Sequence, residues 1–446
     1  MDRREFLQSA TLAGAATLAA NVANAADESV SIAIAKPEPH VGEPMTKRWL
    51  EQRWLIENVI RANGIDWDQP RSIYLNAPCG FEASGDFAAL RQRVQKYADI
   101  APAFEAAAIR REAKAKEALA VQNSVWAREN FFIAAVLWAG AMWPIDEVND
   151  KILSYNQKKR ECYEAYAKLA DHRVETAWVP FQGKALPGWF HLPPGYQGGR
   201  IPAVWTISGM DGCKEAGVAL YGDRFLSRGI AVLAIDGPGS YESPLLGIYT
   251  SVPAWQDAGR AIYGWLAARS EIDAERIAIV GASFGSFYGT VAASGEPRHA
   301  AVAASGTCLE PGCHTIFEEA SPTFKKRYMF MAGIPDEQKF NAFMPTLSLD
   351  GIADKLKMPY LTIAGEADEL SPLAFADRQF TMMSAPRQLV VYQDSRHSVG
   401  GVPSAVLGPS PSALLADWVA ARFAGKPFAS ERWFVDAIGR VTKTPL

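Results

Sequence analysis

Residues 276–294, which read RIAIVGASFGSFYGTVAAS, constrain the fold of this chain more than any other stretch. A short apolar run leads directly into GASFG, with Ser283 at its centre, and a helix-like pattern follows at once. Glycine permits a turn that is too tight for residues with a Cβ atom. Such a turn lifts the hydroxyl of Ser283 out of the end of a buried strand, where it can meet a substrate. The G-x-S-x-G pattern in this strand–turn–helix context predicts a nucleophile elbow with Ser283 as the nucleophile.

The pattern around this elbow is an alternation of strands and helices that begins at about residue 174. Two short aromatic and β-branched runs, VETAWVPF and ALPGWFHL, come first and predict a hairpin. Apolar runs of strand length then alternate with helical segments, from IPAVWTIS to RQLVVYQ and the closing helix SALLADWVAARFAG. Continuous apolar strands separated by helices indicate a mostly parallel sheet that is covered on both faces. We therefore predict an α/β domain over residues 174–426, followed by a C-terminal tail over residues 427–446.

Residues 41–173 have a helical pattern instead. The stretch between residues 103 and 143 is rich in alanine and other strong helix formers and contains no proline. Side chains that include Ile152, Tyr155 and Lys159 then recur at steps of three and four residues, which indicates an amphipathic helix. We predict a helical cap domain over residues 41–173, joined through a proline-containing linker over residues 26–40.

The first 25 residues differ in kind from the rest of the chain. Paired arginines, Arg3 and Arg4, precede a mild apolar stretch, and Ala23-Asn24-Ala25 offers a small-x-small cleavage site. This arrangement resembles a twin-arginine export signal, and the apolar stretch is too short to span a bilayer permanently. The sequence therefore predicts a periplasmic or secreted protein that is cleaved near Ala25.

The composition limits the classes of partner that this chain is expected to bind. The chain has 446 residues, 49% of them hydrophobic, which is ample for a large core with an added domain. A net charge of −4 gives no electrostatic footprint for nucleic acid or an anionic membrane. Outside the N-terminus no apolar run is long enough for a transmembrane helix. We expect a small-molecule substrate, no nucleic acid and no stable membrane anchor.

The five cysteines leave two questions open. Because their number is odd, at least one thiol stays unpaired unless two copies of the chain pair through it. A homodimer is therefore one of the expected forms of the protein. Cys308 and Cys313 are close enough in sequence for a small-loop disulfide in an oxidising compartment. His314 follows them, but without a second ligand pair at metal-binding spacing we predict no metal site.

A serine nucleophile needs a base, and the base needs a group that orients it. On this fold the three follow in the order serine, acid, histidine. His397 is the histidine that lies beyond the last apolar strand, where the base-bearing loop belongs, and Asp368 follows the strand PYLTIAG. We predict His397 as the base and Asp368 as its orienting acid, with Glu366 as the alternative acid.

The oxyanion that develops during acyl transfer needs preorganised donors. The backbone N–H of Phe284, directly after the nucleophile, is the first predicted donor. The second should come from the turn after AVWTIS, where we predict the backbone N–H of Met210, with that of Asp211 as the alternative.

Four motifs now stand in order: GMDGCKE at residues 209–215, DGPGSYES at 236–243, GASFGS at 281–286, and GEAD with RH between 365 and 397. Together with a helical domain ahead of the core, they resemble one branch of the α/β-hydrolase superfamily. That branch includes the fermentation-respiration-switch-like esterases and the dihydroxypseudooxynicotine hydrolase. The resemblance implies a triad on Ser283, His397 and Asp368, no cofactor, and a helical lid that builds much of the substrate pocket.

Members of this branch divide between ester cleavage and hydrolysis of a C–C bond beside a ketone. Some relatives that cleave C–C bonds use an extra glutamate in the segment that here reads SGTCLEPGCHTIFEEAS. Its candidates are Glu310, Glu318 and Glu319, and His314 is a further pocket candidate in the same segment.

The leading prediction is an exported serine hydrolase that cleaves a carboxylic ester through an acyl-enzyme. A lid must present apolar surface to bury the substrate and exclude water, so we expect an apolar or aromatic small molecule. Trp138 and Trp143, near the end of a predicted helix, are the candidates for lining the pocket. The alternatives are a C–C bond hydrolase with the same triad, an aminopeptidase and a binding protein without catalysis.

Overall fold

The computed structural model describes residues 42–219 and 223–446, and within them a ten-stranded sheet has the order β1-β2-β4-β3-β5-β6-β7-β8-β9-β10. Strands from β4 to β9 in this order pair in parallel, while β1 with β2, β2 with β4, and β9 with β10 pair antiparallel. The strands are Val174–Phe181, Lys184–His191, Ile201–Ile207, Ala231–Ile235, Ile272–Ser283, Ala301–Thr307, Tyr360–Gly365, Arg387–Tyr392, Glu431–Val435 and Val441–Pro445. This architecture confirms the predicted α/β fold with a mostly parallel central sheet.

The N-terminal helical region, residues 47–169, precedes the first strand. Its helices α1–α7 are Lys47–Asn63, Arg71–Tyr74, Asn76–Cys79, Ser84–Arg93, Ile100–Ala120, Ser124–Met142 and Asp150–Leu169. Asn123 separates α5 from α6, because its side chain accepts the N–H of Trp126 and begins a new helix there. The region shares one apolar cluster with side chains of the sheet domain, among them Trp189, Tyr241 and Phe330.

Helices cover the sheet on both faces, which is why its central strands are apolar without alternation. All five residues of β4, for example, are buried. The helices of this part, α8–α16, are Lys214–Gly217, Asp223–Leu226, Val252–Ala267, Phe284–Gly295, Pro322–Ala332, Glu337–Phe343, Leu373–Met382, Pro403–Leu407 and Pro411–Phe423. Among the helices of the described residues, none has the length and apolar character needed to cross a membrane.

The C-terminal segment differs from the tail that the sequence led us to expect. Residues 427–446, expected as a tail, contain β9 and β10, and β9 extends the sheet by pairing in parallel with β8. The edge of β8 would otherwise present unpaired backbone groups, and β9 satisfies them. The predicted export signal, 1–25, and linker, 26–40, lie outside the described residues.

Candidate active site

The elbow at Ser283 joins β5 to α11. Ser283 is the last residue of the strand and has φ 55° and ψ −127°, a backbone conformation that side chains with a Cβ rarely adopt. Such strain persists only where the surrounding structure enforces it, and it is concentrated at functional sites. The turn therefore presents the hydroxyl of Ser283 at the carboxyl edge of the sheet, as the G-x-S-x-G pattern predicted.

The two glycines of the elbow are required by close packing. A Cβ atom on Gly281 would lie 2.0 Å from the carbonyl oxygen of Gly285, and one on Gly285 would lie 2.2 Å from that of Ile207. Both distances fall far inside van der Waals contact with rigid backbone. The glycines thus allow α11 to pass directly over the ends of β5 and β3.

Three side chains from three loops meet at this edge. Ser283 Oγ lies 2.8 Å from His397 Nε2, and His397 Nδ1 lies 3.1 Å from both carboxylate oxygens of Asp368. The carboxylate is itself fixed, since Asp368 Oδ1 accepts the backbone N–H groups of Leu370 and Ser371, each at 2.9 Å. A carboxylate can only accept, so Nδ1 of His397 carries the proton and Nε2 is left to accept the proton of Ser283.

The alternative acid lies elsewhere on the same loops. Glu366 Oε2 accepts the backbone N–H of Asp394 at 3.2 Å. Glu369 Oε2 accepts the backbone N–H of His397 at 3.1 Å and so helps to hold that loop. Of the carboxylates in the segment GEADEL, Asp368 is the one bonded to the imidazole.

The pKa of His397 is set by burial and by the carboxylates around it. Burial alone would lower its pKa, but the hydrogen bond and charge of Asp368, helped by Glu369 and Asp211, outweigh burial. The pKa of His397 is therefore raised above its ordinary value of 6.5. An imidazole with this pKa is a stronger base than a free one, and it loses its proton at a higher pH.

The predicted oxyanion donors lie beside the nucleophile. Phe284 is the first residue of α11, and N–H groups in the first turn of a helix have no partner within the helix. Met210 lies in the turn of residues 209–212, which we name the oxyanion turn. Gly209 of this turn packs against the nucleophile, since a Cβ atom on it would be 2.7 Å from Ser283 Cβ.

A cavity of about 140 Å³ opens at Ser283 and His397. Most of its other lining is apolar and comes from both parts of the chain, with Leu75 from the N-terminal helical region and Ile316, Phe324 and Leu370 from the sheet domain. Phe324 and Leu370 also line a neighbouring groove of about 440 Å³ beside α1. The hydroxyl of Ser283 thus faces a small, mainly apolar chamber with a larger space next to it.

The two tryptophans expected in the pocket are not among the residues that line it. Trp138 is 4% exposed and packs on Tyr155, with ring centroids 5.4 Å apart, inside the helical region. Trp143 is 6% exposed and donates its Nε1–H to Asp211 Oδ1 at 2.9 Å. The expectation is corrected because the whole of α6 from Asn130 to Met142 is buried, so its large side chains fill the core.

The two pocket candidates after β6 also lie outside the cavity lining. Glu310 Oε2 accepts the backbone N–H of Thr315 at 2.7 Å and so stabilises the following turn. The side chain of His314 is 61% exposed and lies 3.4 Å from Glu319. Both expectations are corrected because these side chains are directed to other partners, Glu310 to the backbone of Thr315 and His314 to Glu319, although Ile316 of the same segment does line the cavity.

Cys308 is a neighbour of the nucleophile that the sequence did not assign to the site. Its Sγ lies 3.6 Å from Ser283 Oγ, and it is a free thiol, as is Cys313, so the disulfide left open by the sequence is absent. Burial raises the pKa of the Cys308 thiol well above its ordinary range. The thiol is therefore protonated at neutral pH. The signal that could have found it is its position at the end of β6, the strand next to β5.

A cluster of buried charges lies behind the oxyanion turn. Lys214 Nζ contacts Glu242 at 2.5 Å, Glu215 at 2.9 Å and Asp236 at 3.2 Å. Lys159 Nζ, from α7, lies 3.2 Å from Glu215 Oε2, close enough for an ion pair although the angle does not suit a hydrogen bond. Although burial alone would raise the pKa of Glu215, Lys159 and Lys214 lower it to about 2. The cluster ties the helical region to the sheet domain through charge.

Replacing Lys159 by Met should strongly destabilise the protein. The side chain is fully buried, and its loss would leave Glu215, Asp236 and Glu242 with Lys214 as their remaining buried cation. We expect the free energy of unfolding in urea to fall by about 3–5 kcal/mol. The matched control is Lys158→Met, whose side chain is 40% exposed and whose loss should cost less than about 1 kcal/mol. Equal losses for both variants would show that the buried charge is not what matters.

Fold and site together define an α/β hydrolase, with a serine on a strand–turn–helix elbow and a histidine and a carboxylate on the loops that follow. The chain matches the family model described as Esterase FrsA-like over residues 103–340, more than half of its length, and it belongs to this family. Residues 259–424 also match the model of the prolyl oligopeptidase family. These matches confirm the resemblance on which the sequence prediction relied.

Individual relatives share the fold at low identity. The chain is 29% identical over 208 residues to Alpha/beta hydrolase xenA of Xenoacremonium sinensis, covering 44% of this chain and 48% of the relative. It is 29% identical over 206 residues to Alpha/beta hydrolase gkaG of Penicillium citrinum, with the same coverage of each chain. It thus spans about half the length of these curated relatives.

The crystal structure of the 2,6-dihydroxy-pseudo-oxynicotine hydrolase superposes with a TM-score of 0.69 at 23% identity, covering 80% of this chain and 97% of that one. At this identity the likeness shows the fold alone.

Proposed function

We propose that this chain is an exported serine hydrolase that cleaves a carboxylic ester of an apolar or aromatic small molecule through an acyl-enzyme. The observation that carries the proposal is the continuous contact from Ser283 Oγ through His397 to Asp368, placed at the wall of a mainly apolar cavity. Such an arrangement activates a hydroxyl that is otherwise a poor nucleophile.

In the first half of the reaction, Ser283 Oγ attacks the ester carbonyl carbon while His397 Nε2 takes its proton. The negative charge that forms on the carbonyl oxygen is stabilised by the backbone N–H groups of Phe284 and Met210. Asp368 stabilises the imidazolium ion and keeps the ring in one orientation. The tetrahedral intermediate then expels the alcohol, which leaves with the proton from His397, and the acyl group remains on Ser283.

In the second half, His397 takes a proton from a water molecule whose oxygen attacks the acyl carbonyl. The intermediate collapses to the free acid, and Ser283 regains its proton from His397. Each half transfers one proton to the base and returns it.

The side chains around the cavity favour ester cleavage over the C–C alternative. Hydrolysis of a C–C bond must neutralise a carbon leaving group, and some relatives supply an extra glutamate for this. Here Glu310 accepts from a backbone N–H and Glu318 pairs with Lys325 at 2.6 Å. Among the described residues that line the cavity, Asp211 is the carboxylate, and its oxygens are directed to Trp143 and Arg71. An ester needs no such group, because its alkoxide leaving group takes the proton from His397.

The cavity lining supports an aminopeptidase less well than an esterase. A carboxylate pair is the usual way to hold the ammonium group of a peptide substrate. The described cavity lining contains Asp211 but no second carboxylate beside it.

Export is proposed from the first 25 residues, in which Arg3 and Arg4 precede an apolar stretch and a small-x-small site. Export is tested by expressing the full chain, fractionating the cells and locating the protein. The matched variant carries Lys in place of both arginines and should stay in the cytoplasm. Accumulation in the cytoplasm for both forms alike would contradict export by this signal.

Purified protein should hydrolyse aryl esters with apolar acyl groups and leave β-diketones and aminoacyl anilides unchanged. The reason is that the site offers a nucleophile, a base and apolar surface, while the carboxylate among the described residues that line the cavity, Asp211, is already held by Trp143 and Arg71. Initial rates on these three substrate classes, each corrected by the rate of Ser283→Ala, make the comparison. Faster cleavage of the diketones would favour the C–C alternative, and faster cleavage of the anilides would favour the aminopeptidase.

A further inference from the structure

We infer that the N-terminal helical region positions the oxyanion turn, and that it does so through Trp143 and Arg71 acting on Asp211. The inference rests on the proposed function, because it concerns the donor that Met210 would supply. Asp211 follows Met210 directly in the turn. Its carboxylate contacts the helical region on both oxygens: Trp143 Nε1 donates to Oδ1 at 2.9 Å, and Arg71 Nη2 lies 3.5 Å from Oδ2.

The two groups that hold Asp211 are themselves fixed. The side chain of Arg71 is 1% exposed, and its Nη2 donates to Asp68 Oδ2 at 3.2 Å. The guanidinium lies 3.5 Å from the centre of the Trp143 ring, within the range of a cation–π contact. A planar guanidinium that is paired and stacked has little freedom left. Asp211 is therefore bound to a rigid surface and not to mobile side chains.

The backbone of the turn is held as well. The hydroxyl of Tyr241 lies 3.3 Å from the carbonyl oxygen of Asp211 and 3.4 Å from that of Ala139 in α6. On its other side the turn meets the nucleophile through Gly209, as the close approach to Ser283 shows. The oxyanion turn thus lies between Ser283 and the helical region, and a shift at either contact changes the distance from Met210 N to the reacting carbonyl.

Such a shift should affect the transition state more than the bound substrate. Oxyanion donors act only at about 2.7–3.1 Å from the position that the charged oxygen will occupy. An interaction made only in the transition state changes kcat and leaves KM nearly constant. Trp143 and Arg71 are therefore positioning residues, since neither is among the residues that line the cavity at Ser283.

The test compares two tryptophans of the same helical region. Trp143→Phe keeps an aromatic ring but removes the Nε1–H donor, and we expect kcat to fall by about tenfold to a hundredfold with KM changed less than about threefold. Trp138→Phe is the matched control, because Trp138 is equally buried and its Nε1 donates to no group in the described residues. Its kcat should stay near that of the native chain. Similar values for the two variants would overturn the inference.

Variants of the acceptor separate positioning from general stability. Asp211→Ala removes the contacts to both Trp143 and Arg71 and should lose at least as much kcat as Trp143→Phe, whereas Asp211→Asn retains an oxygen for Trp143 but loses the charge that pairs with Arg71 and should lose less than Asp211→Ala. Adding Trp143→Phe to Asp211→Ala should cause little further loss, since the alanine has already removed the acceptor of the Trp143 N–H. Fully additive losses would mean that Trp143 acts by another route and would overturn the inference.

A second readout does not depend on which substrate the enzyme prefers. An alkyl fluorophosphonate reacts with an activated serine, and charge develops on its phosphoryl oxygen where the ester oxygen would lie. The rate of this reaction at Ser283 should fall in Trp143→Phe and not in Trp138→Phe. If the native chain reacts quickly and Trp143→Phe reacts equally fast, the inference is wrong while the proposed nucleophile stands. If native Ser283 does not react at all, the proposed function is wrong and the inference fails with it.

Discussion

Ser283→Ala should lower kcat by a factor on the order of 10⁶, the loss seen when a triad nucleophile is removed. The methyl group cannot form the acyl-enzyme, and what remains is the effect of the binding site and the oxyanion donors on direct attack by water. The fold should be unaffected, because alanine is smaller than serine and adopts the same backbone. Steady-state hydrolysis of an aryl ester, with circular dichroism as a check on folding, measures the change.

The neighbouring thiol supplies the control for this prediction. Cys308 Sγ lies 3.6 Å from Ser283 Oγ, so a second nucleophile is within reach of the same carbonyl. Its burial keeps the thiol protonated, because the pKa is raised well above its ordinary range, and a protonated thiol is a weak nucleophile. Cys308→Ala should therefore retain kcat within about tenfold of the native value. Activity that survives Ser283→Ala and disappears in Cys308→Ala would identify the cysteine as the nucleophile.

The proximity of Ser283, His397 and Asp368 could be predicted from the sequence because it depends on local rules and on chain order. Close packing at Gly281 and Gly285 fixes the turn, and a short sequence pattern is enough to reveal it. The carboxyl ends of β5, β7 and β8 lie at one edge of a parallel sheet; Ser283 ends β5, Asp368 follows β7 and His397 follows β8. Any sequence that forms this sheet brings the three loops together.

The lining of the cavity could not be predicted in the same way. Helix α6 is buried on every side from Asn130 to Met142, so its apolar pattern does not tell which face meets the cavity. The direction of Trp138 and Trp143 is set by how α5, α7 and the oxyanion turn pack against α6, and the local pattern of α6 does not contain this packing. Trp138 packs on Tyr155 of the next helix, and Trp143 donates to Asp211 of the sheet domain.

The buried charges show a second limit of prediction from the sequence. The basic run Lys158-Lys159-Arg160 favours a solvated helix face, whereas the three- and four-residue steps of α7 also include Lys159, and the structure buries this lysine. Its partners Glu215 and Glu242 come from the sheet domain, and a buried cation requires such partners. The sequence therefore shows a lysine among apolar positions of a helix but does not show which carboxylates pair with it. The strands β9 and β10 were missed for a related reason, since β9 forms against the free edge of β8 and β10 forms against β9.

Asp368→Asn should lower kcat by a factor on the order of 10⁴ while the fold is retained. The amide can donate as well as accept, so it no longer requires the proton of His397 to be on Nδ1. When that proton moves to Nε2, the imidazole cannot accept the proton of Ser283. The imidazolium that forms in the transition state also loses the negative charge beside it. Both effects act on catalysis, so KM should change little in comparison with kcat.

The pH dependence gives this prediction a second measurement. His397 must be neutral to act as a base, so kcat/KM rises with pH through its pKa. In the native chain Asp368 raises this pKa above 6.5, and the loss of its charge should move the rising limb toward lower pH while the plateau falls. Glu366→Gln is the matched control on the same loop, because Glu366 contacts the backbone of Asp394 and not the imidazole. It should keep both the plateau and the position of the limb. A larger loss in Glu366→Gln than in Asp368→Asn would assign the orienting acid to Glu366, and an unmoved limb in Asp368→Asn would show that another group titrates there.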